Sequence, residues 1–180
     1  LERTTKIPML GLIGLNESAS PFIVTNKPHS QLAESFRSIR TNLQYFHGNR
    51  PKNTILITSS ISAEGKSFCA INLAVILATS GKKIVMVGCD LRKPQQAKTF
   101  NVSSGTGLSN YLIGTANEDE IIQHSETPNL DLILSGPKPP NPSEILLSDR
   151  MQALMKKLSD MYDYVIIDSP PIGIISDGLQ

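Results

Sequence analysis

The sequence predicts a three-layer α/β domain, with a mainly parallel central sheet flanked by helices. Two observations carry that expectation. Short β-branched apolar runs recur along the chain, separated by segments whose apolar residues step by three and four. One of these runs also passes through a loop ending Gly65-Lys66-Ser67 straight into an apolar, Ala-rich stretch. Runs of the first kind are buried strands and the intervening segments are crossover helices. Right-handed strand–helix–strand units then close a parallel sheet covered on both faces.

Taken in order, residues 1–28 hold scattered apolar residues, Gly and Pro without a sustained period, and are expected to form an irregular N-terminal arm. From Ser30 to Phe46, the residues Leu32, Phe36, Ile39, Leu43 and Phe46 mark an amphipathic helix. Thr54 to Thr58 predicts a fully buried strand. Ser67 to Ser80 predicts an apolar helix ending at Gly81, where a C-terminal glycine belongs. Further strands are expected at Ile84–Val87, Leu130–Leu134 and Tyr164–Ile167. Helices are expected at Leu108–Ile113, at Glu118–His124, and at Ser148–Met161 with Met151, Leu154, Met155 and Leu158 on one face. The Lys138-Pro139-Pro140-Asn141-Pro142 stretch predicts a stiff surface connection. No internal repeat is visible.

Bulk properties narrow the class. A chain of 180 residues with 39% hydrophobic and 18% charged residues is long enough for one well-buried core. A net charge of +1 gives no electrostatic case for a nucleic-acid partner. Cys69 and Cys89 fall in or beside buried elements, which suits a reducing compartment rather than a disulfide framework. No apolar run reaches membrane-spanning length, and no signal peptide is legible. A start without Met suggests a piece of a longer protein.

The segment Ser60-Ile61-Ser62-Ala63-Glu64-Gly65-Lys66-Ser67 carries the chemistry. Between a strand and a helix, loop N–H groups point inward and cradle phosphates, and the helix dipole adds partial positive charge. Ser62, Ala63, Glu64, Gly65, Lys66, Ser67 and Phe68 are therefore the expected ATP-binding residues. Lys66 is expected on the β- and γ-phosphates and the Ser67 hydroxyl on Mg²⁺. A bare Gly-Lys-Ser/Thr arises by chance in roughly one chain in ten of this size, so its placement is what makes it informative. The loop's usual first Gly is Ser60 here.

Such a loop needs an acidic partner at a neighbouring strand end. Asp168 ends the Tyr164–Ile167 run, and Asp90 follows Ile84–Val87 by way of Gly88-Cys89. In a parallel sheet both reach the same edge, so Ser67, Asp90 and Asp168 are the expected metal ligands, and Lys66, Asp90 and Asp168 the expected catalytic groups. For either Asp the alternative is a helix cap or turn residue.

Together with Glu34-Ser35-Phe36-Arg37-Ser38-Ile39-Arg40, Asp90-Leu91-Arg92-Lys93-Pro94, Gly107-Leu108-Ser109, Gly136-Pro137 and Asp163 to Pro171, these motifs resemble the cytoplasmic domain of bacterial tyrosine kinases of capsular and exopolysaccharide assembly. The resemblance runs from about Pro8 to the end. It implies a P-loop NTPase fold over residues 29–180, lacking the C-terminal part, and transfer of the ATP γ-phosphate to protein tyrosines. It also implies an upstream membrane segment, a location on the cytoplasmic side of the bacterial inner membrane, and a membrane activator in the same or a separate chain. A ring-like self-association would run through Glu34, Arg37 and Arg40; spacing alone equally allows a local Glu34–Arg37 pair on a solvated face. The family's second strand ends Asp-x-Asp, and its first carboxylate helps to deprotonate the acceptor tyrosine. Gly88 stands there in this chain. That keeps open a weakly catalytic ATP-binding scaffold subunit. A partitioning-type switch ATPase is the other alternative, although such proteins carry lysine where this chain has Ile61.

Overall fold

The computed structural model describes residues 7–18, 20–48, 53–92, 96–102 and 105–172. Its strands β1 (Asn53–Ile57), β2 (Ile84–Gly88), β3 (Ile122–His124), β4 (Leu130–Ile133) and β5 (Tyr164–Asp168) form one sheet in the order β1-β5-β2-β4-β3. All neighbours are parallel except β3, which runs antiparallel to β4. The helices are α1 (Ile23–Asn26), α2 (Gln31–His47), α3 (Lys66–Ala78), α4 (Gln96–Phe100), α5 (Leu108–Leu112), α6 (Glu118–Ile121), α7 (Pro142–Leu146) and α8 (Asp149–Met161).

Alternation along β2 and β5 divides the core. Ile84, Met86, Tyr164 and Ile166 face α3, which is buried from Ala70 to Ala78 between the sheet and α2. Val85, Val87 and Val165 face the other way, onto α5 and α8. The period-2 alternation of strands thus gives two cores and three layers. Helix α2 starts at Ser30, whose Oγ accepts from Ala33 N at 3.2 Å, and it buries Ala33, Phe36 and Leu43. Ser148 caps α8 in the same way through Met151 N, and Met151, Leu154 and Leu158 form its inner face.

Several expectations fail for identifiable reasons. β1 is an edge strand, pairing with β5 alone among the described residues, and Leu56 is 60% exposed. A β-branched run does not distinguish edge from centre. Phe46, placed on the inner stripe of α2, is 53% exposed because the helix outruns the core there. The helix expected over Glu118–His124 stops after one turn, and Ile122-Gln123-His124 instead pairs with the free side of β4. Within the proline-rich connection, Pro142 is the first residue of α7, a position where its missing N–H costs nothing. The arm expected to be irregular contains one helical turn, α1, held by the buried Asn72 side chain at its first amides, and α4 had no counterpart among the expected helices. Lys93, Pro94, residues 1–6 and residues 173–180 lie outside the described residues. No described helix is long and apolar enough to cross a membrane.

Candidate nucleotide-binding site

The loop between β1 and α3 reaches its shape through two left-handed residues, Ala63 (φ 68°) and Gly65 (φ 85°). Glycine adopts that region without strain, whereas alanine there is held against its preference. The Glu64 carboxylate turns back to accept from Ser60 N (2.7 Å) and Ile61 N (3.2 Å). That contact closes the loop from within and supplies the turn-holding interaction where Ser60 replaces the usual glycine. Ser62 to Gly65 are exposed, while Lys66, Ser67 and Phe68 are half-buried at the start of α3.

Lys66 is the centre of the site. Its Nζ lies 2.5 Å from Asp168 Oδ1 and 3.4 Å from Ser67 Oγ. The lysine and aspartate side chains are only 8% and 2% exposed. Asp168 ends β5 on the face shared with Ile166, and the register sets it opposite Ile57 of β1 and Gly88 of β2. Three of the expected residues therefore meet: Lys66, Ser67 and Asp168. Asp90 lies two residues past β2, where its carboxylate accepts from Arg92 N at 3.2 Å. Arg92 in turn reaches Ser143 Oγ of α7 at 3.4 Å. Glu34 pairs with Arg37 at 2.5 Å on the solvent side of α2, which is the local ion pair that the spacing allowed.

Among the described residues, no three carboxylate, imidazole or thiol groups cluster as a metal cage. Mg²⁺ takes one or two carboxylates, a hydroxyl, water and substrate phosphates rather than an all-protein cage, and Asp168 and Ser67 beside Lys66 are groups of that kind. An exposed loop leading into α3 beside a buried Lys–Asp pair fits a nucleotide triphosphate with its magnesium.

Behind the site, Gly107 approaches so closely that a Cβ would sit 2.4 Å from Gly136 N. This contact lets Leu108 N and Ser109 N donate to Leu134 O (2.7 Å) and Ser135 O (3.0 Å). Buried Ser135 passes the fixation on through its Oγ to Gly88 O at 3.0 Å. Ser135 was missed from sequence; its signal is a lone hydroxyl ending an apolar strand run.

Cys89 is 4% exposed, and burial, with the Asp168 charge second and Lys66 opposing, pushes its thiol up to about 12. Iodoacetamide at pH 8 should therefore leave Cys89 intact in the native protein and alkylate it once denatured; native labelling would contradict its placement. By linkage, the stability from keeping this thiol protonated is complete below an ordinary thiol pKa and is lost as pH rises through about 9 and beyond.

Comparison with known proteins agrees with this geometry. The model of the AAA domain family AAA_31 matches residues 52–177. The kinase domain of the Escherichia coli tyrosine kinase ETK superposes with a TM-score of 0.89 at 33% identity, covering 96% of this chain and 72% of that one. The chain belongs to the bacterial tyrosine-protein kinases. The chimerical protein CapA2B2 is equally similar, with a TM-score of 0.89 at 38% identity over 98% of this chain and 76% of that one. The Bacillus subtilis tyrosine-protein kinase YwqD is 39% identical over 86% of this chain, which spans 65% of YwqD's length. As a member of the bacterial tyrosine-protein kinases, the chain has the P-loop α/β fold with a mostly parallel sheet and flanking helices.

Proposed function

We propose that the chain is the ATP-dependent tyrosine-kinase domain of a capsular or exopolysaccharide assembly system. The observation that supports this most directly is the buried Lys66–Asp168 pair beneath the exposed loop. A lysine and a carboxylate are thereby held ready at the point where phosphates would enter.

In this reading, N–H groups from Ser62 to Phe68 receive the phosphates, Lys66 takes the β- and γ-oxygens, and Ser67, Asp90 and Asp168 hold Mg²⁺. Bound magnesium supplies neutralisation of charge on the phosphoryl oxygens. The phenolic oxygen of an acceptor tyrosine bonds to the γ-phosphorus as its bond to the β–γ bridging oxygen breaks, and ADP leaves. Gly88 offers no carboxylate, so Asp90, two residues past β2, is the carboxylate left to take the phenolic proton, and it does so slowly from outside the strand. Partners follow the family: protein tyrosines as acceptors, a membrane activator in the same or another chain at the cytoplasmic face of the inner membrane, and further copies of the chain docking through Glu34, Arg37 and Arg40. Glu34 is the most exposed of the Glu34–Arg37 pair, which leaves it available to a neighbour.

The test is incubation with ATP and Mg²⁺, followed by intact mass and phosphotyrosine detection, with Lys66→Ala as the control. Protein that binds ATP yet forms no tyrosine phosphate would sink the kinase reading in favour of a scaffold subunit. Peptide mapping adds a second prediction. Tyr111, Tyr162 and Tyr164 are each under 10% exposed, whereas Tyr45 is 83% exposed. The Tyr111 and Tyr162 hydroxyls also donate to Glu118 and Asp131. Phosphate carried within this chain should map to Tyr45. Finding it on Tyr162 instead would mean that the core opens during the reaction.

A further inference from the structure

Helix α3 is apolar from Ala70 to Ala78 with one exception, Asn72, which is 0% exposed. An apolar side chain would fill that space as well, and a buried amide costs stability unless fully bonded. Asn72 is fully bonded, with both acceptor and both donor capacities used. Its Oδ1 accepts from Ile23 N (2.9 Å) and Val24 N (3.2 Å). Its Nδ2 donates to Pro21 O (2.8 Å) and to Phe68 O (2.9 Å). Three of these bonds reach the N-terminal arm about fifty residues away. Two of them satisfy the first amides of α1, whose own N-cap residue, Phe22, supplies no side-chain cap, and the third holds the Pro21 carbonyl. The fourth grips the first turn of α3, next to Ser67.

The same arm segment makes a second contact, outside α3. Phe22 meets Phe100 of α4 edge-on at 5.2 Å, and α4 follows the stretch that carries Asp90 and Arg92. Phe68, for its part, packs edge-on against Phe36 of α2 at 5.7 Å. The first turn of α3, Lys66 to Cys69, is only half-buried, so the Asn72 and Phe68 contacts add to the Lys66–Asp168 pair in holding it. Above it sits a loop with a strained residue, Ala63.

We infer that Asn72 is a positioning residue for the phosphate loop, clamping residues 21–24 of the arm to α3 so that the arm sets the loop's affinity for nucleotide. A pre-shaped loop binds more tightly because less ordering remains to be done on binding. Loosening the arm therefore weakens ATP binding without removing any group that touches ATP. The inference rests on the ATP-binding reading of the loop.

The experiment measures Mg–ATP Kd and melting temperature for the whole chain and for Asn72→Leu, Phe22→Ala and the double variant. Asn72→Leu should raise Kd about fivefold or more, within the range of ordinary coupling between sites. Phe22→Ala should act in the same direction, and the double variant should fall short of the product of the two effects, since both act through one clamp. A folded Asn72→Leu protein with a lower melting temperature and an unchanged Kd overturns the inference and leaves Asn72 a stabilising residue only. If Asn72→Leu does not fold, an unchanged Kd in Phe22→Ala has the same force. Failure of the unmodified chain to bind ATP overturns the functional reading itself, and this inference with it.

Discussion

Lys66→Ala should abolish tyrosine phosphorylation and also cost about 3 kcal/mol or more of stability. The first effect follows from transition-state charge. A lysine that meets the transferring phosphoryl group is a fixed electrostatic partner, and removing one such partner typically slows the chemistry about 10²–10³-fold. The second effect is visible only in the folded structure. Asp168 is 2% exposed as a side chain, and Lys66 Nζ sits 2.5 Å from its Oδ1. Truncating the lysine strips a buried carboxylate of its cation, which is far costlier than losing a surface pair. The two roles separate in the double variant Lys66→Ala/Asp168→Asn. There the buried charge is gone, so stability should recover in part while activity stays lost. Denaturant midpoints and phosphotyrosine yield, measured on all three proteins, decide it. A Lys66→Ala single variant as stable as the parent would show that the pair contributes nothing in solution and that Lys66 faces elsewhere before nucleotide arrives.

The sequence showed the loop well because its signal is local: a strand, a glycine able to take φ 85°, a lysine, and a helix start are contiguous. It also showed that Asp168 ends a strand, since an apolar run followed by a carboxylate needs no tertiary information. What it did not show depends on contacts between distant segments. Strand order placed β1 at the edge, which turned a run read as buried into a half-exposed strand with Leu56 in solvent. β3 exists because β4 had a free side, and no property of Ile122-Gln123-His124 announces that. Asn72 and Ser135 acquire meaning only from partners roughly fifty residues away. The Glu34–Arg37 pair was legible as a pair, because three-residue spacing on a helix fixes it.

Gly88→Asp should raise the phosphorylation rate by about 10²-fold or more if proton removal from the acceptor tyrosine limits this chain. The register makes the substitution informative. Gly88 pairs directly with Asp168 across two parallel strands. Alternation along β2 sends Met86 toward α3 and Val87 away from it, so residue 88 shares the α3 side with Asp168 and Lys66. A carboxylate added there would lie one strand spacing, roughly 5 Å, from an existing one. Lys66 alone would then face two carboxylates, leaving a net negative charge in a buried site, and the variant without nucleotide should melt below the parent. Magnesium binding would offset that charge, so added Mg²⁺ should raise the variant's melting temperature more than the parent's. Phosphotyrosine yield and the Mg²⁺-dependent melting shift, taken together, separate two causes of low activity. A rate gain together with the larger shift means that the missing carboxylate is what limits the parent. A folded variant with the shift but no gain means that Asp90 already removes the proton and that Gly88 is an accepted departure from the family pattern. The parent's own rate is then set by how the loop and Lys66 hold the phosphates, not by the end of β2.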